Sequence, residues 1–378
     1  MVKKEIYLDN AATTPVYKEV ANEMAAFYLD EYGNPSSVHE MGERAQAAMN
    51  DARANLANEI NAKEHEIIFT SGSTESNNLA FFGLAKAHKN KRKIIISSIE
   101  HSSIFEICDA LKKEGYVIAE IPVDREGFID IDRLKSEIDN NTLLVSIMHA
   151  NNEIGVIQDI EKIGEICREN NVFFHSDCAQ SFGKLGIDVK KMNINLLTAS
   201  AHKIGGPKGV GLLYISEGVK ILPIIYGGGQ ERGLRGGTEN LPGIIGFAKS
   251  LEIIKKIDEE KIRKLRDYFI SELEKIGGKI NGSKEKIVYN NINVSFLDID
   301  GENLVAFLSH KKIYVSAGSA CESKKRKESK VLRELGLNEG ERKGSIRISL
   351  NESISKKDIE YVIGEMKDAM KKIEDKFK

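Results

Sequence analysis

Residues 196–211 read LLTASAHKIGGPKGVG. An apolar run suited to a buried strand ends at Ser200, and Ala201, His202 and Lys203 follow. Behind them, Gly205, Gly206, Pro207, Gly209 and Gly211 make a turn. Burial disfavours the charged form of an amine, so a lysine at the end of a buried strand can lose its proton and become a nucleophile. The same letters also describe a surface turn with an ordinary lysine. The stretch alone leaves the two readings even.

Working outward from it, strands and helices alternate. Residues 67–70 read as a strand, followed by SGSTESNN and an apolar helix from Leu79. Strands are expected at 94–97, 117–121, 143–148 and 172–176, with helices at 105–114 and 160–170. That order predicts an α/β fold, a mostly parallel sheet with helices on both faces. In such sheets ligands gather at the carboxyl ends of strands.

What stands at those ends is therefore informative. His101 follows the 94–97 strand, Asn151, Asn152 and Glu153 follow 143–148, and Asp177 and Gln180 follow 172–176. Ser200, His202 and Lys203 complete the series. Each is singly more often a cap or loop residue than a ligand, but four strand ends delivering His, Asn, Asp and Lys form a set. It suits a pyridine aldehyde: a ring to stack, an amide, a carboxylate for the ring nitrogen, and an amine. A strand, the small-residue turn that holds Ser73 and Thr74, and the helix N-terminus after it form a phosphate cradle from hydroxyls and free backbone N–H groups.

Composition excludes several classes. The 378 residues are 41% hydrophobic and 30% charged with net charge −2, an ordinary balance that gives no case for direct nucleic-acid or membrane binding. No apolar run approaches the ~18 residues of a membrane span, and residues 1–14 lack a signal peptide's apolar core. Cys108, Cys167, Cys178 and Cys321 lie far apart with no metal-type pairing, which fits a reducing cytoplasm.

At the N-terminus, a strand at 6–9 ends in DNAATTP, and a helix is expected over 16–28. YGNPSSVH (32–39) is a turn at Asn34-Pro35, with Ser36 or Ser37 capping a helix over 39–60. After Gly236 the pattern changes. A long helical run spans 242–276, followed by strands at 291–296, 313–316 and 345–349 mixed with helices at 302–309 and from 355 onward. The expected division is a large cofactor-binding domain over 1–260 and a smaller α+β domain over 261–378, with the N-terminal segment of the first packing on the second. Within the latter, VSAGSACES (315–323) is a loop of small residues followed by KKRK. A cysteine there can be partly thiolate, the nucleophilic form, although the charge of Glu322 opposes this.

The motifs DNAATTP, YGNPSSVH, TSGSTESNN, EHSS, MHANNEIG, HSDCAQ, SAHKIGGPKG, GGGQERGLRGGTEN and VSAGSAC resemble those of cysteine desulfurases. These belong to the class V aminotransferase branch of the fold type I pyridoxal-phosphate enzymes. The resemblance implies a seven-stranded, mostly parallel sheet, pyridoxal 5'-phosphate as cofactor and conversion of L-cysteine to L-alanine. Lys203 would be the Schiff-base lysine, His101 would stack on the ring and carry protons, and Asp177 and Gln180 would meet the ring nitrogen and oxygen. Asn152 would lie against the ring, while Ser73, Thr74, Ser200 and His202 would hold the phosphate. Thr238 would reach a neighbouring subunit's phosphate in a homodimer. Asn34 and Arg347 would hold the substrate carboxylate. Cys321 would take the sulfur as a persulfide, with transient ligation of an iron–sulfur cluster as a further role. A sulfur acceptor such as an iron–sulfur scaffold or a tRNA-thiolation enzyme would follow. Two other readings are a selenocysteine lyase or other class V aminotransferase, and a non-catalytic assembly scaffold. Gly205-Gly206 stands where the family often has a bulkier residue, which predicts a looser wall beside the lysine.

Overall fold

The computed structural model describes residues 4–317 and 328–376. A short strand, β1 (Ile6–Tyr7), leads through the DNAATTP turn to helices α1 (Lys18–Leu29) and α2 (Glu40–Glu59). Contrary to the expectation of a serine cap, His39 caps α2, its ring accepting from Gly42 N at 3.3 Å. Ser36 and Ser37 are instead held in the preceding turn, where their N–H groups donate to Asn34 Oδ1 and Asn34 O at 2.9 Å each.

Alternation then begins with β2 (Ile67–Thr70), α3 (Ser73–Ala87), β3 (Lys93–Ser97), α4 (Ser102–Lys113) and β4 (Val117–Ile121). It continues through α5 (Ile131–Glu137), β5 (Thr142–Ser146), α6 (Ile160–Glu169), β6 (Phe173–Asp177), β7 (Leu196–Ser200) and β8 (Gly211–Ile215). Helix α3 starts at Ser73 rather than Leu79: its polar first turn is helical, and the apolar run is only its buried later part. These strands form one sheet in the order β2-β8-β7-β6-β5-β3-β4. β8 is antiparallel to both its neighbours, and the remaining pairs are parallel. Residues 201–210 are too short a link for a parallel crossover, which needs about a dozen residues, so the chain must return antiparallel.

Every residue of β2, β5, β7 and β8 is buried, as expected for strands covered on both faces. One face packs under α2, α6 and α7 (Leu241–Ile254), the other under α3 and α4. The run 242–276 is not one helix. Asp258 starts a second one, α8 (Glu259–Lys275), by accepting from Lys261 N at 3.0 Å.

The chain from α8 onward builds a second core. It contains β9 (Lys279–Ile280), β10 (Asn291–Ser295), α9 (Gly301–His310), β11 (Ile313–Tyr314) and β12 (Ser316–Ala317). Short helices α10 (Lys330–Glu334) and α11 (Glu339–Lys343) precede β13 (Ser345–Ser349) and α12 (Lys356–Lys376). An antiparallel sheet, β12-β13-β10-β9, packs against α8, α9 and α12 around Phe269, Ile292, Leu304, Ile346 and Ile359. Ile6 and Leu8 join this second core, because β1 pairs in parallel with β11. The following turn crosses back. Asn10 and Ala11 bond to Ser349, and Thr14 bonds to His202 O from both its N–H and its hydroxyl.

Candidate active site

A cavity of about 610 Å³ opens at the carboxyl ends of the parallel strands. His101 reaches it from the β3 end, Asn152 from beyond β5, Asp177 and Gln180 from β6, and Ser200, His202 and Lys203 from β7. Ser73 and Thr74 line it from the start of α3. Nine of the expected residues therefore share one wall.

Lys203 sits in a 3-10 turn directly after β7, and its Nζ donates to Ala11 O at 2.7 Å and Ala12 O at 2.8 Å. Gln180 Nε2 donates to the same Ala11 oxygen at 2.8 Å. The DNAATTP turn thus braces the lysine, a role not visible in the motif alone. Gly205 has φ 78°, and a Cβ there would overlap the Tyr17 ring. The looser wall expected beside the lysine motif is absent, because Tyr17 fills that space.

Asp177 is buried and accepts from Ala179 N at 2.9 Å and from Asn77 Nδ2 at 2.8 Å. Burial lowers the pKa of His101, with Lys203 adding to the effect and Asp177 opposing it. His202 is pushed down to about 4, by burial first and then by Lys203, Lys208 and Lys184, so its ring is neutral near pH 7. Its Nδ1 lies 3.1 Å from Thr13 Oγ1. Glu100, beside His101, is fully enclosed. Burial drives it up to about 8, against hydrogen bonds from Ser97 and Met148 N.

The α3 N-terminus is suited to an anion. Gly72 has φ 146°, which favours glycine and turns the chain into the helix. The first-turn N–H groups of a helix have no intrahelical acceptor, and the Ser73 hydroxyl is buried with no partner. Glu75 steadies this turn by accepting from Ser71 N at 2.9 Å and from Arg235 Nε at 2.9 Å.

Other expected site residues lie apart from the cavity wall. Arg347, on β13, is 3% exposed and donates to Asp9 Oδ1 at 2.7 Å and Asn152 O at 3.0 Å. Its Nε is buried without a partner. Asn34 is exposed and occupied by its own turn. Thr238 is exposed, on a stretch held down by a buried Arg53–Glu231 pair that stacks on Phe69. Glu231 and Arg232 there adopt positive φ angles of 44° and 58°. Cys321 and Glu322 lie outside the described residues. Cys108, Cys167 and Cys178 are buried thiols, each pushed up to about 12 chiefly by burial.

A strand-end lysine, a buried aspartate and an anion cradle lining one cavity, on this sheet, define the chain's class. It belongs to the aminotransferase class-V family, whose model matches residues 6–362. Among its relatives, a protein named cysteine desulfurase IscS from Dictyoglomus turgidum is 44% identical over 98% of this chain and 96% of its own. One of the same name from Methanosarcina thermophila is 45% identical over 98% of this chain and 93% of its own. A solved NifS-like protein superposes with TM-score 0.92 at 38% identity, covering 97% of this chain and all of its own. A structure described as SspA in complex with cysteine gives 0.84 at 37% identity, over 92% of this chain and 99% of its own. Among the described residues, no helix is long and apolar enough to cross a membrane.

Proposed function

We propose that this chain is a cysteine desulfurase that uses pyridoxal 5'-phosphate, releases L-alanine from L-cysteine and passes the sulfur to Cys321. The observation that carries the reading is the single cavity that joins Lys203, Asp177 and His101 to the cradle with the unpartnered Ser73 hydroxyl. The residues fit the cofactor. Ser73, Thr74, Ser200 and His202 would hold its phosphate, Asp177 its ring nitrogen, Gln180 its ring oxygen, and His101 and Asn152 its faces and edge. Lys203 would attach it. When bound, it supplies the electron sink that lets bonds at the substrate's α- and β-carbons break.

The chain's own residues do the rest. Lys203 Nζ moves protons at the α-carbon, and His101 exchanges a proton through its ring with the reacting end of the substrate. Arg347 draws in the substrate carboxylate, with Asn34 assisting. In the net reaction the carbon–sulfur bond of L-cysteine breaks and a sulfur–sulfur bond forms at Cys321. The β-carbon takes up a proton, so L-cysteine and the thiol become L-alanine and a persulfide with no outside oxidant. Thr238 reaches the phosphate of a second copy, making the enzyme a cytoplasmic homodimer. The chain divides near Lys261, and an iron–sulfur scaffold or tRNA-thiolation enzyme accepts the sulfur.

The test is the mass of the Cys321 peptide after incubation with cysteine, alongside alanine release. One added sulfur atom is expected. The Cys321→Ser protein is expected to bind cysteine and keep its visible absorbance, but to release almost no alanine. A fully active Cys321→Ser protein, or sulfur found only on Cys108, Cys167 or Cys178, points instead to a lyase or aminotransferase.

A further inference from the structure

Asn77 has no role in the reading above, but it is a fully buried polar side chain, on the α3 face turned toward the sheet. Its Nδ2 donates to Asp177 Oδ2 at 2.8 Å and to Ser103 Oγ at 3.2 Å. The orientation is forced, because a carboxylate only accepts, and a flipped amide would set oxygen against oxygen. Ser103 Oγ lies 2.9 Å from His101 Nδ1. The Ser103 backbone N–H donates to the same Nδ1 at 3.2 Å, as His101 caps α4. An N–H group can only donate, so Nδ1 is an acceptor, and the neutral ring carries its proton on Nε2. Nε2 is then the ring nitrogen left for the cavity that His101 lines.

We infer that Asn77 and Ser103 are positioning residues: Asn77 fixes the Asp177 carboxylate and orients the Ser103 hydroxyl, while Ser103, through its backbone N–H and its hydroxyl, holds His101 as the Nε2–H tautomer, so that one amide steadies both groups. A ring in that state enters the reaction as a donor from Nε2 and receives a proton there only after giving one away. The burial that disfavours the charged ring acts in the same direction. The catalytic consequence rests on the proposed function. The tautomer does not.

The test uses the full-length chain with ring-15N histidine, with and without added pyridoxal phosphate, and with His101→Gln to assign the signal. His101 is expected to show an unprotonated Nδ1 and a protonated Nε2. Asn77→Ala is expected to lower kcat roughly 10- to 100-fold, the range for one hydrogen bond to a charged group, with little change in KM. Asn77→Asp separates electrostatics from packing. It keeps the shape but sets a second carboxylate against Asp177, so it is expected to be at least as impaired as Asn77→Ala. Its acid limb should move to higher pH, because an added negative charge favours charged His101. Should the Asn77 variants not fold, Ser103→Ala at a half-buried position is expected to lower kcat a few-fold and keep the tautomer through its backbone N–H. A proton on Nδ1 overturns the inference. So does an Asn77→Asp protein with wild-type kcat and pH profile, or a Ser103→Ala protein of unchanged kcat. Failure of the wild-type chain to take up pyridoxal phosphate sinks the proposed function instead, and the ring spectrum of the cofactor-free chain still decides the tautomer.

Discussion

Arg347 Nη2 lies 2.7 Å from Asp9 Oδ1, which ties β13 to the DNAATTP turn across 338 positions of sequence. The guanidinium expected to clamp the substrate carboxylate already holds a carboxylate of the chain. A substrate must therefore share or displace Asp9. Arg347→Lys, which loses the planar fork, is expected to raise the KM for cysteine roughly 10-fold or more with a smaller effect on kcat. Asp9→Asn leaves a buried cation without its counter-ion. It is expected to cost about 2 kcal/mol in denaturant unfolding, less than the ~3–5 of a fully buried pair because Asp9 is partly exposed. Equal KM for the wild type and Arg347→Lys would remove Arg347 from substrate binding.

Lys203 and Asp177 are separable by experiment. Borohydride reduction of protein loaded with pyridoxal phosphate is expected to tag the Lys203 peptide. A tag on another lysine would contradict the assignment. Asp177→Ala is expected to lower kcat at least 100-fold while cofactor uptake persists, since the carboxylate acts mainly in the transition state.

Glu100 gives a prediction in pH. Its pKa rises to about 8 in the fold, so between its unfolded value near 4.5 and about 8 the native state keeps a proton that the unfolded state releases. Stability from this group is full below about 4.5 and is lost as pH rises through that window. Glu100→Gln keeps an oxygen for Ser97 and Met148 N but has no proton to lose. The Tm of the variant relative to wild type is expected to climb between pH 5 and pH 8 and then level off. A constant difference would show that Glu100 is ionised in the fold.

Thr238 is exposed while every phosphate-side group of its own chain lies in the cavity, which motivates a test by mixing. Lys203→Ala and Thr238→Ala chains are each expected to be weak alone. Refolded together, they should regain activity, because one site of each mixed dimer then has both residues intact. No recovery would mean that each chain builds its site alone.

The sequence by itself determined the alternation of strands and helices, the sheet it builds, and the strand ends that deliver His101, Asp177 and Lys203. These are local signals, since apolar runs and turn residues act within a few positions of one another. Helix starts were less legible. Ser73 and Asp258 mark helix starts where the apolar pattern alone placed none, because the first turn of α3 is polar and follows Gly72, and the Asp258 cap is one side-chain bond rather than a period. Tertiary structure alone decided the pairings. Asn77 meets Asp177 over 100 positions, and Tyr17 fills the space that Gly205 leaves. The antiparallel return of β8 places Ser200 and Gly211 against Gly72, beside the α3 cradle. Such contacts depend on strand order and on which faces the two cores turn toward each other, and no spacing within the chain encodes either.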